Sequence, residues 1–289
     1  MKYITLDDLA QTIRTNIWKV PRDIDFIITI PRSGTIAGSI ISEFLNVPIV
    51  DINAFVKGVE PSGGGRLRYY YGKEHKTKRV LVVDDTVYSG LSKVLAKEKL
   101  ANFTEYEFIY LAVYLEGPGK EHVDLWLEDI RGYTNNYTQI VLYEWNIFHH
   151  NEDIMASQLY DIDGVLCLDP PDERNEEAYL SYIENATPLF VPTAKIGGIL
   201  TYRLIKNAEI TQRWLAKQGI EYDQLIMFNA QTWEERASAG ISSGDWKGLI
   251  YRDLPQYKLM IESDPGQAER IAEVSGKQVF CVGNNKMYG

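Results

Sequence analysis

Residues 80–90 read VLVVDDTVYSG, and no other stretch constrains the fold of this chain so tightly. Val80, Leu81, Val82 and Val83 form an apolar, mostly β-branched run without polar alternation, the pattern of a strand buried on both faces. Such strands belong to parallel sheets covered by helices, so the run predicts an α/β architecture. Asp84 and Asp85 then fall at the strand's carboxyl end, where open α/β sheets bind ligands. A short loop closed by Ser89 and Gly90 follows, ahead of a Lys-rich helix predicted over residues 91–101.

Two adjacent carboxylates can accept hydrogen bonds from two vicinal hydroxyls. The hydroxyl side chains and successive N–H groups of residues 86–91 suit a phosphate. A diol on one side and a phosphate on the other describe phosphoribosyl pyrophosphate. The stretch resembles the signature of type I phosphoribosyltransferases, in which an apolar strand precedes two acidic residues, a Thr, and a Ser-Gly or Thr-Gly loop. The resemblance implies that Asp84, Asp85, Thr86, Tyr88, Ser89 and Gly90 bind phosphoribosyl pyrophosphate. An earlier segment, FIITIPRSG at 26–34, is an apolar strand and turn followed by a helix-like stretch from Thr35 to Phe44. Its Arg32, Ser33 and Gly34 match in kind the family's pyrophosphate loop. Between the two lies GGGRLRYYYGKEHKTKR, residues 63–79, where Arg66, Arg68, Lys73, Lys76, Lys78 and Arg79 face one acid, Glu74. In a chain of 30 basic and 40 acidic residues, a basic, glycine-rich loop calls for an anion. In the family, a loop at this place closes over the pyrophosphate and excludes water.

The chain has 289 residues, enough for two domains of ordinary size. Its two cysteines, Cys167 and Cys281, lie in apolar contexts, which predicts buried thiols and a reducing, cytoplasmic setting. The N-terminus opens MKYITLDDLA, without the pattern of a signal peptide, and no apolar run approaches the roughly 20 residues of a membrane span. A net charge of −10 argues against broad nucleic-acid binding. The features allow a homo-oligomer.

Thr5 and Asp8 predict a capped helix over 6–17. Strands are expected near 24–30, 47–51, 79–84, 107–114 and 139–143, completing one α/β unit over residues 1–153. LYEWNIFHHNED, residues 142–153, closes it, and Trp145 and His149 are candidates for a hood over an acceptor.

The pattern then restarts over residues 154–289 with different chemistry. QLYDIDGVLCL, residues 158–168, is a short strand running into Asp161 and Asp163, which two-residue spacing points the same way, with Gly164 allowing a sharp turn. One carboxylate can attack phosphorus while the other shuttles a proton. This resembles motif I of the haloacid dehalogenase superfamily of phosphatases, implying Asp161 as nucleophile and Asp163 as general acid and base. A strand ending at Thr201, followed by the helix TQRWLAKQGI, resembles motif II, with Thr201 on a phosphoryl oxygen. Lys247 in GDWKGLIY matches the cation of motif III, with Lys258 second. YKLMIESD, residues 257–264, resembles motif IV, but departs from its commoner Asp-Asp form. The resemblance implies Mg2+ held by Asp161, Asp163, Glu262 and Asp264. Segment 169–190, acidic and proline-bearing, reads as a small flap, and an open site suits a bulky substrate.

The fold expected is therefore α/β in two domains, a type I phosphoribosyltransferase-like parallel sheet and a haloacid dehalogenase-like Rossmannoid domain. Joined on one chain, the two chemistries imply transfer of 5-phosphoribosyl to an acceptor and then removal of the 5-phosphate, leaving β-ribofuranose. By analogy with proteins of bacterial polysaccharide biosynthesis, the acceptor is a glycan or lipid-linked glycan. The alternative is a nucleobase phosphoribosyltransferase with a linked nucleotide phosphatase. Tyr88 stands where purine enzymes place an Asp base, and a phenol with a pKa near 10 serves poorly there.

Overall fold

The computed structural model describes residues 1–65, 78–134, 140–170 and 175–289. The chain divides into two units, Met1–Trp145 and Asn146–Gly289.

Unit 1 begins with β1 (Lys2–Ile4), α1 (Leu6–Asn16), β2 (Phe26–Thr29), α2 (Ser33–Leu45), β3 (Ile49–Asp51) and α3 (Ile52–Phe55). It continues with β4 (Lys78–Val87), α4 (Leu91–Leu100), β5 (Tyr106–Leu115), β6 (Leu125–Asp129), α5 (Arg131–Thr134) and β7 (Val141–Tyr143). Five strands form a parallel sheet in the order β3-β2-β4-β5-β6, so β4 is central, as its apolar run requires. Val80, Leu81, Val82 and Val83 are fully buried between two helical layers. Leu81 and Val83 pack with Leu9, Ile13 and Ile41 on one face, and Val80 and Val82 with Ala96 and Leu100 on the other.

Helix α1 carries the expected capping box: Thr5 accepts from Asp8 N, and Asp8 accepts from Thr5 N. One expectation is corrected. The strand holding the acidic pair does not stop at Asp84; β4 runs on to Val87, because the long neighbour β5 continues the ladder, with Asp84 opposite Ala112 and Thr86 opposite Tyr114. The strand expected near 139–143 is present. As β7 it pairs with β1 in a separate two-stranded sheet. The strand β6, with Trp126 and two acids in five residues, was too polar to be anticipated.

Unit 2 starts with α6 (Glu152–Ala156), β8 (Gln158–Tyr160), α7 (Glu176–Asn185), β9 (Ile196–Leu204), α8 (Ala208–Lys217) and β10 (Tyr222–Phe228). After these come α9 (Trp233–Ser238), α10 (Ser243–Arg252), β11 (Leu259–Glu262), α11 (Pro265–Ser275), β12 (Gln278–Cys281) and β13 (Lys286–Tyr288). The sheet order is β10-β9-β8-β11-β12-β13, parallel except for the last strand. Its order places the ends of β8, β9 and β11 side by side. Trp214, Leu215 and Ile220 are buried, as an amphipathic α8 and its exit require. Both cysteines are buried and unbridged. Among the described residues no helix is long and apolar enough to cross a membrane.

Candidate active sites

In unit 1 the turn between β2 and α2 comes against the acidic pair. A Cβ on Gly34 would lie 2.8 Å from the Val83 carbonyl oxygen and 3.0 Å from Asp84 Oδ1, so only glycine admits this approach. Arg32 is exposed at the start of α2, the Pro31–Arg32 peptide is cis, and Ser33 opens the helix. Thr86 lies within β4, Tyr88 is exposed, and Ser89 Oγ accepts from Leu91 N at 3.4 Å. Gly90 caps α4 in the left-handed conformation, leaving the first N–H groups of a ten-residue helix at the loop.

The acids themselves are buried and held. Asp84 Oδ2 lies 3.2 Å from the Lys93 ammonium. Asp85 Oδ2 accepts from Trp145 Nε1 at 2.7 Å. Burial, and then the neighbouring Asp84 charge, push the Asp85 carboxyl up to about 7. Lys93 was not anticipated: it looks like one more lysine on a Lys-rich helix but falls on its buried stripe. Trp145 is brought to the acidic pair, whereas His149 belongs to unit 2 and meets Thr193 Oγ1 at 3.2 Å. Of the basic loop, residues 66–77, with Arg66, Arg68, Lys73 and Lys76, lie outside the described residues. Lys78 and Arg79 open β4, and Arg79 pairs with Asp23 and Glu107.

In unit 2 a cavity of about 680 Å³ is lined by Asp161, Asp163, Thr201, Lys247, Glu262 and Asp264. Asp161 follows β8, Thr201 is buried within β9, and Glu262 ends β11. Lys247, on α10, reaches in from the side. Its ammonium donates to Asp161 Oδ2 and Glu262 Oε2, each at 2.7 Å, with all three side chains buried. One cation between two carboxylates has definite consequences. Burial alone would lower the lysine, but Asp161 and Glu262 outweigh it and hold Lys247 protonated. Asp161, buried and facing Glu262 and Asp163 besides its lysine, is pushed up to about 7.

Asp163 has different surroundings. Arg203 grips it with Nε on Oδ2 at 2.9 Å and Nη2 on Oδ1 at 2.6 Å, and Tyr182 OH donates to Oδ1 at 2.7 Å. Burial favours its neutral form, yet the Arg203 guanidinium holds the carboxyl below the usual range. Arg203 lies two residues after Thr201 on β9, and Tyr182 comes from α7 within the expected flap; neither was anticipated. Gly164, at φ 74°, makes the turn after the pair. Asp264 caps α11, accepting from Gln267 N at 2.7 Å. Lys258, the second choice for the cation, is exposed and donates to the Pro255 carbonyl.

Residues 3–146 match the phosphoribosyl transferase domain family. Unit 1 is therefore a phosphoribosyltransferase domain. The chain also has distant similarities to solved structures. A purine phosphoribosyltransferase from Pyrococcus horikoshii Ot3 is 20% identical over 50% of this chain and 92% of that chain, with a TM-score of 0.35. An orotate phosphoribosyltransferase from Aeropyrum pernix is 15% identical over 45% and 74%, with a TM-score of 0.33. A chain of a Pnkp1/Rnl/Hen1 complex covers 90% of this chain and 96% of its own length at 14% identity, with a TM-score of 0.33. Similarities this distant say nothing about what the chain acts on. No curated protein matches it.

Proposed function

We propose that the chain is a bifunctional enzyme. Unit 1 transfers 5-phosphoribosyl from phosphoribosyl pyrophosphate to an acceptor, and unit 2, a haloacid dehalogenase-type phosphatase, removes the 5-phosphate from the product. The first half is supported by the family match. The observation that carries the second is the Lys247 ammonium held 2.7 Å from both Asp161 and Glu262 beside an open cavity.

In unit 1, Asp84 and Asp85 bind the ribose hydroxyls, Thr86, Tyr88, Ser89 and Gly90 line the 5-phosphate site, and Arg32, Ser33 and Gly34 receive the pyrophosphate. In unit 2, an Asp161 oxygen attacks phosphorus and the sugar oxygen departs with the electron pair of the broken P–O bond, taking up a proton from water in the open cavity. Water then attacks the aspartyl phosphate, releasing inorganic phosphate and the free carboxylate. Lys247 and Thr201 stabilise the phosphoryl oxygens. Asp163, held ionised by Arg203, is equipped to take the proton of the attacking water. Donating to the sugar oxygen requires it to enter protonated, the state Arg203 opposes.

The oxygen-donor set fits magnesium. Among the described residues no three His, Cys, Asp or Glu side chains are grouped so as to hold a metal ion by themselves, but Mg2+ is usually held by one or two carboxylates, water and substrate phosphate. Asp169 at the same cavity is pushed up by burial and by Asp163, Glu262 and Asp264, a sign of negative charge that the protein's own cations leave unbalanced. Asp161, Asp163 and Asp264 would hold the ion. Glu262 is the fourth; like Asp161 it shares Lys247 and accepts one backbone N–H, Ser263 N for Glu262 and Ile162 N for Asp161. When bound, the ion offsets repulsion between Asp161 and a phosphate dianion.

The acceptor in this reading is a glycan or lipid-linked glycan. A sugar hydroxyl gives up its proton late and needs positioning more than a strong base, and exposed Tyr88 supplies no carboxylate for a ring N–H. The test is incubation with phosphoribosyl pyrophosphate, magnesium and a panel of glycan and nucleobase acceptors, read by mass. One added pentose on a glycan is expected. Efficient conversion of adenine, guanine, hypoxanthine, uracil or orotate, with no glycan reacting, would overturn the glycan reading in favour of nucleobase chemistry.

A further inference from the structure

Helix α4 turns one lysine inward. Lys93, Ala96 and Leu100 form its buried stripe, and Lys93 is fully buried. A leucine or methionine would complete that stripe without stripping a charge of water, whereas an ammonium loses its strong hydration there. Lys93 Nζ lies 3.2 Å from Asp84 Oδ2 and makes no hydrogen bond among the described residues. The second acid is treated in parallel: Trp145 Nε1 binds Asp85 Oδ2 at 2.7 Å. Each carboxylate therefore has one oxygen tied to a side chain from another element. On Asp84 the remaining oxygen, Oδ1, accepts from Asp85 N at 3.1 Å, which leaves it a second lone pair.

We infer that Lys93 is a positioning residue for hydroxyl recognition: it fixes Asp84 through Oδ2, so that Oδ1 faces the substrate as a charged acceptor. The inference rests on reading unit 1 as a binder of phosphoribosyl pyrophosphate. Two buried carboxylates in adjacent positions repel one another, and without a cation one of them takes up a proton. A neutral carboxyl is free to rotate and is a weaker acceptor than a carboxylate. Lys93 removes both faults at Asp84 without touching the substrate.

The test uses the full chain and calorimetric binding of pyrophosphate, phosphoribosyl pyrophosphate, ribose 5-phosphate, and the 2-deoxy and 3-deoxy forms of ribose 5-phosphate, all with magnesium. Lys93→Met should bind ribose 5-phosphate about 10-fold more weakly, the scale of one charge-assisted hydrogen bond. Its affinity for pyrophosphate should be unchanged, and its discrimination against at least one deoxy sugar should vanish. Lys93→Arg should recover part of that discrimination. A lysine that only supported the fold would weaken all ligands alike or none, so intact discrimination in a folded Lys93→Met protein overturns the inference. If circular dichroism shows that Lys93→Met does not fold, Lys93→Gln, uncharged but polar, undergoes the same comparison with the same criteria. A wild-type protein that binds pyrophosphate but neither ribose phosphate refutes the reading of unit 1 itself, and the inference with it.

Discussion

At the residue scale, the two acid pairs show how the same side chain takes opposite character from its neighbours. Asp161 and Asp163 are two residues apart, the first buried and the second partly so, yet one is pushed up and the other held down. The difference is that Arg203 gives Asp163 a cation of its own in bidentate contact, whereas Asp161 shares Lys247 with Glu262. If Asp161 is the nucleophile, Asp161→Asn should abolish phosphate release while leaving transfer intact, so that the acceptor accumulates one pentose phosphate, detectable by mass. Phosphate release at the wild-type rate would refute that role. Asp85 yields a second prediction. Its folded value of about 7 stands above the ordinary 3.8, so between about pH 4 and 7 the folded state keeps a proton that the unfolded state has lost. Stability from this group is therefore full below pH 4, falls as pH rises through 7, and then levels. Asp85→Asn should flatten that slope, and urea midpoints at pH 5 and pH 8 will converge relative to wild type. An equal fall in both proteins would contradict the assignment.

Elements were legible where one local signal decided them. The capping box of α1 is written in Thr5 and Asp8 and needs no tertiary partner, and the apolar run of β4 could only be central. Ends were less legible, because a strand ends where its neighbour's ladder ends. The polar residues after Val83 suggested a stop, but β5 carried the pairing to Val87. Helix α4 is the converse case: its lysines all look solvent-facing in the sequence, and only packing against the sheet shows which one is inside. The close approach of α2 to β4 makes a prediction at this scale. Gly34→Ala would put a methyl group 2.8 Å from the Val83 carbonyl oxygen, so the turn must move away from Asp84. A loss of about 1–3 kcal/mol in stability is expected, as for overpacking, with at least a 10-fold loss of pyrophosphate affinity. Denaturation and calorimetry measure the two effects, and a neutral result in both would mean that the turn is not held by this contact.

At the scale of the whole molecule, each unit has its own sheet and its own group of charged side chains at strand ends. Asp84→Asn combined with Asp85→Asn should therefore stop transfer while the full-length protein still hydrolyses a 5-phosphoribosylated acceptor supplied to it. Undiminished transfer would refute the role of the pair, and loss of both activities would show that the units do not act separately. The α/β class, the central strand of unit 1 and the acids that follow it are written in the order of residues, because unbroken β-branched runs and glycine turns are local properties of the chain. The same order marks Asp161, Asp163 and Lys247 as candidates. Which cation meets which acid depends on packing. Lys93 against Asp84, Trp145 against Asp85, Arg203 and Tyr182 against Asp163, and Lys247 between Asp161 and Glu262 are contacts between different elements of the fold. Their charge states follow from burial and distance, and neither exists until the sheets are assembled.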